Sequence, residues 1–415
     1  MLDVQFIRDN REKVATAAKN KRRDVDLDGI LSLDEQKREL MTKIQHLREK
    51  RNKNASTKPT SENIEKGKQL KNDIQRLETE LSDIDIQLEK LLSQVPNVPL
   101  DDVPVGRDEK DNVELYKKGI IPEFDFAPKS HIELCKIHDL ADFERGSKVS
   151  GFRGYFLKKQ LAQLHFAILS FAFQKLIAKD YIPLIAPSIV KGFSLFGSGQ
   201  FPWGKSEVYE LNDEDSYLAG TAEVAVTSYF ANETLAEKDL PKKFVAFSPC
   251  FRREAGSYGK DTKGLYRLHE FWKIEQVIIG KDDLGEAKEL HAELQANTEE
   301  IFDELEIPYR VLFMCTSDMG EPQIYKYDTE AWMPSRNGYG EVGSNSIMGT
   351  FQTRRLKIRY RGDGGQTHYC FSLNNTAVAS PRVLIPLLEN YQQKDGSIKV
   401  PKVLRPLVGF DKISR

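Results

Sequence analysis

The sequence predicts an α+β protein in two parts: an N-terminal antiparallel helical coiled-coil arm, then an antiparallel β-sheet domain flanked by helices. Three observations carry that prediction. Apolar residues at Leu70, Ile74, Leu77, Leu81, Ile84, Leu88 and Leu91 alternate steps of four and three, the seam of a coiled coil sustained over about three heptads. The stretch VPNVPLDDVPVGRDEKDN, Val95 to Asn112, then breaks the helical pattern with three prolines. Beyond it, short β-rich runs (FVAFSPCF, KIEQVIIG, YRVLFMC, LKIRYR) are interleaved with helical stretches such as KKQLAQLHFAILSFAFQKLIAKD. Antiparallel-type strands flanked by helices read as α+β, not as a doubly wound sheet.

Bulk properties narrow the class. A chain of 415 residues exceeds one ordinary core and favours two domains. Lys and Arg number 61 against 63 Asp and Glu, so the net charge of −2 excludes a globally basic nucleic-acid coat and leaves local patches open. The four cysteines, Cys135, Cys250, Cys315 and Cys370, show neither metal spacing nor a disulfide framework, which favours a reducing compartment. The opening MLDVQFIRDNREK lacks a signal-peptide core, and no apolar run has the length to span a bilayer. The expectation is a cytoplasmic protein with no membrane partner.

Residues 1–100 form the expected arm. A first seam at Leu33, Leu40, Ile44 and Leu47 is joined to the longer one by the turn-rich NKNASTKPTSEN, with Ser61 as the expected N-cap of the second helix. A helix from Ser61 to Ser93 would reach about 50 Å. Around the tip stand Arg48, Lys50, Arg51, Lys53, Lys58, Lys66, Lys68 and Lys71, against Glu49, Glu62 and Glu65; toward the base the sign reverses. By itself this pattern fits either a solvated coiled-coil face or a basic tip that lies along a phosphate backbone.

Residues 101–112 read as a linker and 113–415 as the second domain. That domain contains no G-x-x-x-x-G-K-[ST] and no G-x-G-x-x-G after a strand, so a nucleotide must be held in another way. One segment invites that role. FRREAGSYGKDTKGLYRLHEFWKIE, Phe251 to Glu275, reads as a hairpin in which Arg252 and Glu254 share a face of the first arm, and Arg267, Phe271 and Glu275 a face of the second. A charged face bearing one ring is a poor core and a fitting floor for a charged, partly aromatic ligand.

These residues resemble those of the seryl-tRNA synthetases, which are class II aminoacyl-tRNA synthetases, and the resemblance runs along nearly the whole chain in the family's order. DYIPLIAPSIV, around Pro187, is similar to the first class motif at the dimer interface. Thr221–Glu223 (TAE) resembles the serine-binding loop, and FRREAGS…LYRLHEFWKIE the second motif. YGEVGSNS and LNNTAVASPRVLIPLLENYQ resemble the metal-and-ATP segment and the third motif. The resemblance implies a homodimer that uses ATP and L-serine, charges tRNA(Ser), and holds Mg²⁺ with its ATP. By the same resemblance Arg252 bridges the serine carboxylate and the α-phosphate, Glu254 reads the adenine, Phe271 stacks on it and Arg382 clamps the far phosphate. Arg253, Val342 and Gly343 join the ATP site, while Glu341 and Ser344 hold the metal. Thr221, Ala222, Glu223, Glu275 and Thr376, with Arg252, bind serine. Arg48, Lys50, Arg51, Lys53, Lys66 and Lys68 on the arm meet tRNA.

Physical chemistry supports several of these roles. Activation joins a carboxylate to an anionic phosphate, and rigid guanidinium forks neutralise both without being consumed. Mg²⁺ takes oxygen ligands, and the EVGS spacing keeps Glu341 and Ser344 near one point if the strand bends. In VASPRVLIPLLEN, Ser380 is the expected N-cap and Pro381 the first helical residue, which places Arg382 in the first turn. Lys260 and Lys263 in the hairpin loop either touch ATP or the acceptor end or stand as solvated charges. The chain departs from the family at Gly343, where serine is common, and at Thr350, where aspartate is common; its third motif, NNTAVASPR, replaces a glycine-rich stretch. Two rivals stay open at this stage: a same-fold ligase with another acceptor, which would have little need of the intact arm, and a non-catalytic tRNA-binding paralogue, which would have little use for the full charged set. Whether a selenocysteine tRNA is also charged is open too.

Overall fold

In the computed structural model, residues 1–212, 214–257 and 263–414 are described, and the chain divides into two compact units, Met1–Val98 and Pro99–Arg415. The first unit contains helices α1 (Val4–Asp9), α2 (Arg11–Asn20), α3 (Leu27–Ala55) and α4 (Ser61–Leu92). Lys37 pairs with Asp85, Arg48 with Glu78, and the Asn54 side chain with the Asn63 carbonyl, so partners on α4 fall as those on α3 rise. That is an antiparallel hairpin. Leu40, Ile44, Leu70, Ile74, Ile84 and Leu88 of the two seams are buried, and Leu33, Leu47, Leu77, Leu81 and Leu91 partly so. At the base Ile7, Val14, Leu27, Ile30, Leu92 and Val95 close a small core. The N-cap of α4 is Thr60 and not Ser61: Thr60 is extended and its hydroxyl accepts from the Asn63 N–H at 3.2 Å, whereas Ser61 already has helical backbone.

Residues 101–112, read from sequence as a linker, pack on the second unit. The Leu100 N–H reaches the Ile324 carbonyl at 3.0 Å, the Pro104 carbonyl accepts from Thr316 at 2.9 Å, and Val103 is buried. Prolines stop a helix, but an extended peptide can still satisfy its backbone against a neighbour.

The second unit is built on an eight-stranded sheet. In chain order its strands are β1 (Val113–Lys118), β2 (Ile182–Ile185), β3 (Lys242–Phe251), β4 (Glu270–Gly280), β5 (Tyr309–Phe313), β6 (Tyr325–Met333), β7 (Gly338–Gly349) and β8 (Phe371–Ser380). Across the sheet the order is β1-β5-β6-β7-β8-β4-β3-β2. Every pair is antiparallel except β2 with β3 at one edge. One face carries long helices. The Gln276 and Asn375 side chains both donate to the Leu294 carbonyl of the helix Leu284–Glu304, and Ser380 and Trp272 meet His165 of the helix Lys159–Ile177. Alternation along β4 then turns Phe271, Lys273 and Glu275 to the opposite face. The hairpin is present, yet its first arm ends at Phe251: Arg252 and Glu254 lie beyond the strand and Arg267 precedes β4. Their convergence is therefore not a matter of strand parity. Glu254, just beyond the end of the first arm, has left-handed backbone, φ +52°.

Candidate active site

Thr221 caps a short helix, Ala222–Thr227, its hydroxyl accepting from the Glu223 N–H at 3.2 Å. That cap fixes the side chain beside β4. The Lys273 ammonium donates to the Thr221 hydroxyl at 2.7 Å and lies 2.5 Å from Glu275, with the Thr376 hydroxyl 3.4 Å away. Thr376 in turn donates to Glu275 at 3.2 Å. The Asn374 amide bridges Glu275 at 3.0 Å and Glu223 at 3.3 Å, and Gln352 donates to Glu223 at 2.7 Å. All of these residues are buried. Lys273, Asn374 and Gln352 had no role assigned from sequence. Lys273 stood in the quoted hairpin at the correct parity, two residues from Glu275; the other two are brought in only by tertiary packing.

Burial, reinforced by the neighbouring Glu275 charge, pushes the Glu223 carboxyl up to about 7 despite the Gln352 hydrogen bond. A carboxyl raised on folding is a stability cost that is complete above its folded value and relieved as pH falls below it. If Glu223 receives a substrate ammonium, binding needs the ionised form. Affinity for such a ligand should therefore rise as pH rises from about 6 to about 8, and Glu223→Gln should flatten that profile while weakening binding throughout. Binding titrations across that range provide the check; a flat wild-type profile removes Glu223 from ammonium recognition.

Beside this pocket is a cleft open to solvent. Predicted residues on its wall are Arg252, Glu254, Phe271, Glu341, Val342, Gly343, Thr376 and Arg382; Leu265, Tyr266 and Lys273 are among those not predicted. The Arg252 guanidinium covers the Phe271 ring at 5.2 Å, and its Nε donates to the Gly220 carbonyl at 3.2 Å. Glu254 is gripped by Arg267 at 3.1 Å, with Arg153 at 3.8 Å, which offsets the left-handed backbone. Across the cavity Arg382 donates from Nε to the Tyr266 carbonyl at 3.0 Å and from Nη1 to the Glu341 carbonyl at 3.2 Å. Its position owes nothing to a helical first turn. Ser380 ends β8, its hydroxyl 2.7 Å from His165 Nδ1, and the helix Leu384–Asn390 begins later with Val383 at its N-cap. Ser380 is claimed by a buried imidazole and cannot also cap.

Ordinary alternation would turn Glu341 and Ser344 to opposite faces, but β7 bulges between them. Glu330 pairs with Glu341 and Thr329 with Gly343, so Val342 is the extra residue and the parity is corrected. Partial removal from water disfavours the Glu341 charge. The field of Arg382, Lys326, Arg252 and Arg267 outweighs it and holds that carboxyl below its usual range. An ionised carboxylate and a hydroxyl on one face fit a hard cation. Gly343 is set against β8, where an added Cβ would lie 3.2 Å from the Thr376 carbonyl, so its lack of a side chain permits close approach at the bulge. Thr350 accepts from Arg354 Nε at 3.1 Å at the end of β7.

Several predicted residues stand apart from the cavity wall. Ala222 is buried in its helix, Arg253 is exposed and tied by its backbone to Glu207, and Ser344 lies farther along β7. Lys263 is exposed, and Lys260 lies outside the described residues. Arg48, Lys50, Arg51, Lys53, Lys66 and Lys68 all expose their side chains near the tip of the first unit. The pairs Arg48–Glu78 and Lys68–Glu65 are solvent-exposed and contribute little to stability. Among the described residues no cluster of three or more His, Cys, Asp or Glu side chains could hold a metal.

Comparison with known proteins identifies a family for both parts of the chain. Residues 1–99 match the family model of the seryl-tRNA synthetase N-terminal domain, and residues 207–391 that of the class II tRNA synthetase core domain for G, H, P, S and T. A serine–tRNA ligase of Deinococcus radiodurans is 43% identical, with 99% of this chain and 98% of that protein aligned. One from Treponema denticola is 41% identical over the full length of both. The crystal structure of the Pyrococcus horikoshii seryl-tRNA synthetase complexed with ATP superposes with a TM-score of 0.92 at 37% identity, covering 100% of this chain and 99% of that one. The Naegleria fowleri cytoplasmic serine–tRNA ligase in complex with AMP gives 0.89 at 29% identity, with the same coverage. With these likenesses running from end to end, the chain belongs to the seryl-tRNA synthetase family.

Proposed function

We propose that the protein ligates L-serine to tRNA(Ser) in two steps at this cavity. The observation that carries the reading is the convergence of Arg252, Arg382 and Phe271 around one cavity, beside the buried pocket of Thr221, Glu223, Lys273, Glu275 and Thr376. In the first step a serine carboxylate oxygen bonds to the α-phosphorus of ATP and pyrophosphate leaves. Arg252, beside the pocket, neutralises both anions as charge builds, while Arg382 holds the departing phosphates. Phe271 stacks on the adenine and Glu254 accepts from its amino group. In the second step a hydroxyl oxygen of the terminal adenosine attacks the seryl carbonyl, AMP leaves, and the hydroxyl proton is lost. Glu341 and Ser344 would hold Mg²⁺, which supplies positive charge to the phosphates.

Serine's hydroxyl is read by buried polar groups that alanine would leave unpaired, a strong basis for discrimination. We place the working form as a cytoplasmic homodimer. β2 is an edge strand that exposes Ile182 and Ile185, the latter 82% accessible, and Ile189 and Phe166 are exposed as well. A bare apolar edge is a pairing surface. All four cysteines are unpaired and buried, which suits a reducing compartment, and no helix among the described residues is long and apolar enough to cross a membrane. The arm, residues 1–100, would lay its basic tip on tRNA phosphates.

Amino-acid-dependent ATP–pyrophosphate exchange tests the reading. Serine should support it; alanine and glycine should not. Removing residues 52–65 at the arm's tip should leave exchange within about twofold of the parent and lower tRNA charging at least about a hundredfold, because several phosphate contacts vanish together. Exchange absent with every amino acid would overturn the enzymatic reading, and loss of both activities on deletion would make the arm a support of the fold.

A further inference from the structure

Away from the substrates, the carboxylate of Glu389 is fully buried in the helix Leu384–Asn390. Its Oε1 accepts from the His131 backbone N–H at 2.8 Å, from His131 Nδ1 at 2.9 Å and from the Ser335 hydroxyl at 2.9 Å; its Oε2 accepts from the Ser335 N–H at 3.0 Å. Burial alone would favour the neutral acid, but these donors hold the carboxyl below its usual range. Helix cores do not need such a group. An ionised carboxylate sealed from water persists only where its partners are fixed as tightly as it is.

Both partners lead to the same place. His131 Nε2, on the far side of the ring, accepts the Leu265 N–H at 3.2 Å. Since Nδ1 faces a carboxylate and Nε2 faces an N–H, the ring is the neutral tautomer with its proton on Nδ1. Gly264 passes directly over the imidazole: its φ is +79°, and an added Cβ would lie 2.3 Å from His131 Nε2. Ser335 is followed by Arg336, whose guanidinium covers the Tyr266 ring at 3.9 Å. Leu265 and Tyr266 are consecutive wall residues of the cavity, and the Tyr266 carbonyl is the acceptor for Arg382 Nε at 3.0 Å, while the same ring lies 4.6 Å from the Arg382 guanidinium. One buried carboxylate thus sets the backbone of Leu265 through His131 and one face of Tyr266 through Ser335.

We propose that His131 and Glu389 are positioning residues for ATP: they fix Leu265 and Tyr266, and through Tyr266 the aim of Arg382, without touching substrate. The inference rests on the reading above, in which Arg382 clamps the phosphates. The pair is structurally separate from the serine pocket, since neither His131 nor Glu389 contacts Thr221, Glu223, Lys273 or Glu275 through any hydrogen bond described. A defect in positioning should accordingly appear in ATP and spare serine.

Exchange kinetics on the full-length protein distinguish positioning from general support. His131→Asn keeps a donor for Glu389 but offers Leu265 nothing; His131→Gln puts an acceptor near the Nε2 position. The asparagine variant should raise the ATP KM about tenfold, the effect of one lost buried hydrogen bond, and change the serine KM by less than about twofold. His131→Gln should recover most of the ATP KM. Ser335→Ala, at an exposed position, should raise the ATP KM about threefold with serine again unaffected. The proposal is overturned if ATP and serine KM rise together, if both variants of His131 behave alike, or, should His131→Asn not fold, if Ser335→Ala leaves the ATP KM unchanged. Absence of exchange in the parent protein would be a failure of the enzymatic reading instead, and is seen before any variant is made.

Discussion

Replacing Arg252 by alanine should lower kcat/KM for serine-dependent exchange by about a thousandfold, with little change in stability. The side chain is half-buried on the cavity wall, where its guanidinium makes one described hydrogen bond, to the Gly220 carbonyl, and lies over the Phe271 ring. Those contacts are modest supports of the fold. The larger demand falls in the reaction, when an anionic carboxylate approaches an anionic phosphate and one fork can meet oxygens of both. Arg252→Lys retains the charge and loses the fork, so it should recover only about tenfold of that loss. Unfolding curves for the three proteins should agree within about 1 kcal/mol. A loss smaller than about tenfold for the alanine variant would take Arg252 out of the transition state.

Lys273→Met should have the largest effect on stability, about 3–5 kcal/mol, measured by urea unfolding near pH 8. Lys273 and Glu275 expose 6% and 0% of their side chains, and Glu223 shares the same pocket through Asn374. Removing the ammonium leaves two carboxyls without their shared cation in a water-poor space. Below about pH 7, where Glu223 takes up its proton, part of that cost should disappear, so the deficit should narrow on acidification. Pairing the change with Glu275→Leu should restore much of the stability while abolishing exchange, because a missing pair costs less than a broken one. A single variant within about 1 kcal/mol of the parent would mean that water enters the pocket and solvates the charges.

The hairpin shows how far sequence could reach into this site. Strand alternation correctly set Phe271 and Glu275 on one face and, by the same rule, carries Lys273 between them. It failed at Arg252 and Glu254, because the strand ends at Phe251 and Glu254 has a left-handed backbone that no periodicity signals. Glu341 and Ser344 needed a bulge at Val342 to share a face, and spacing could ask for a bend without placing it. Ser380 carried the composition of a cap, yet the buried His165 ring claims its hydroxyl.

By itself the sequence determined the helical arm, the sense of its hairpin, the α+β class of the remainder, and the segments that supply the charged residues of the site. These are local properties, written in periods of two and of three and a half and in the chemistry of residues close together in the chain. The tertiary structure alone decided what completes the site. Lys273 finds Thr221 from 52 residues away, Gln352 reaches Glu223 across 129, and Glu389 reaches His131 across 258. Such contacts leave no periodic trace. They exist because the fold packs helices and helix caps distant in the chain against the sheet and one another, and because a buried charge or amide must find a partner wherever the fold has brought one.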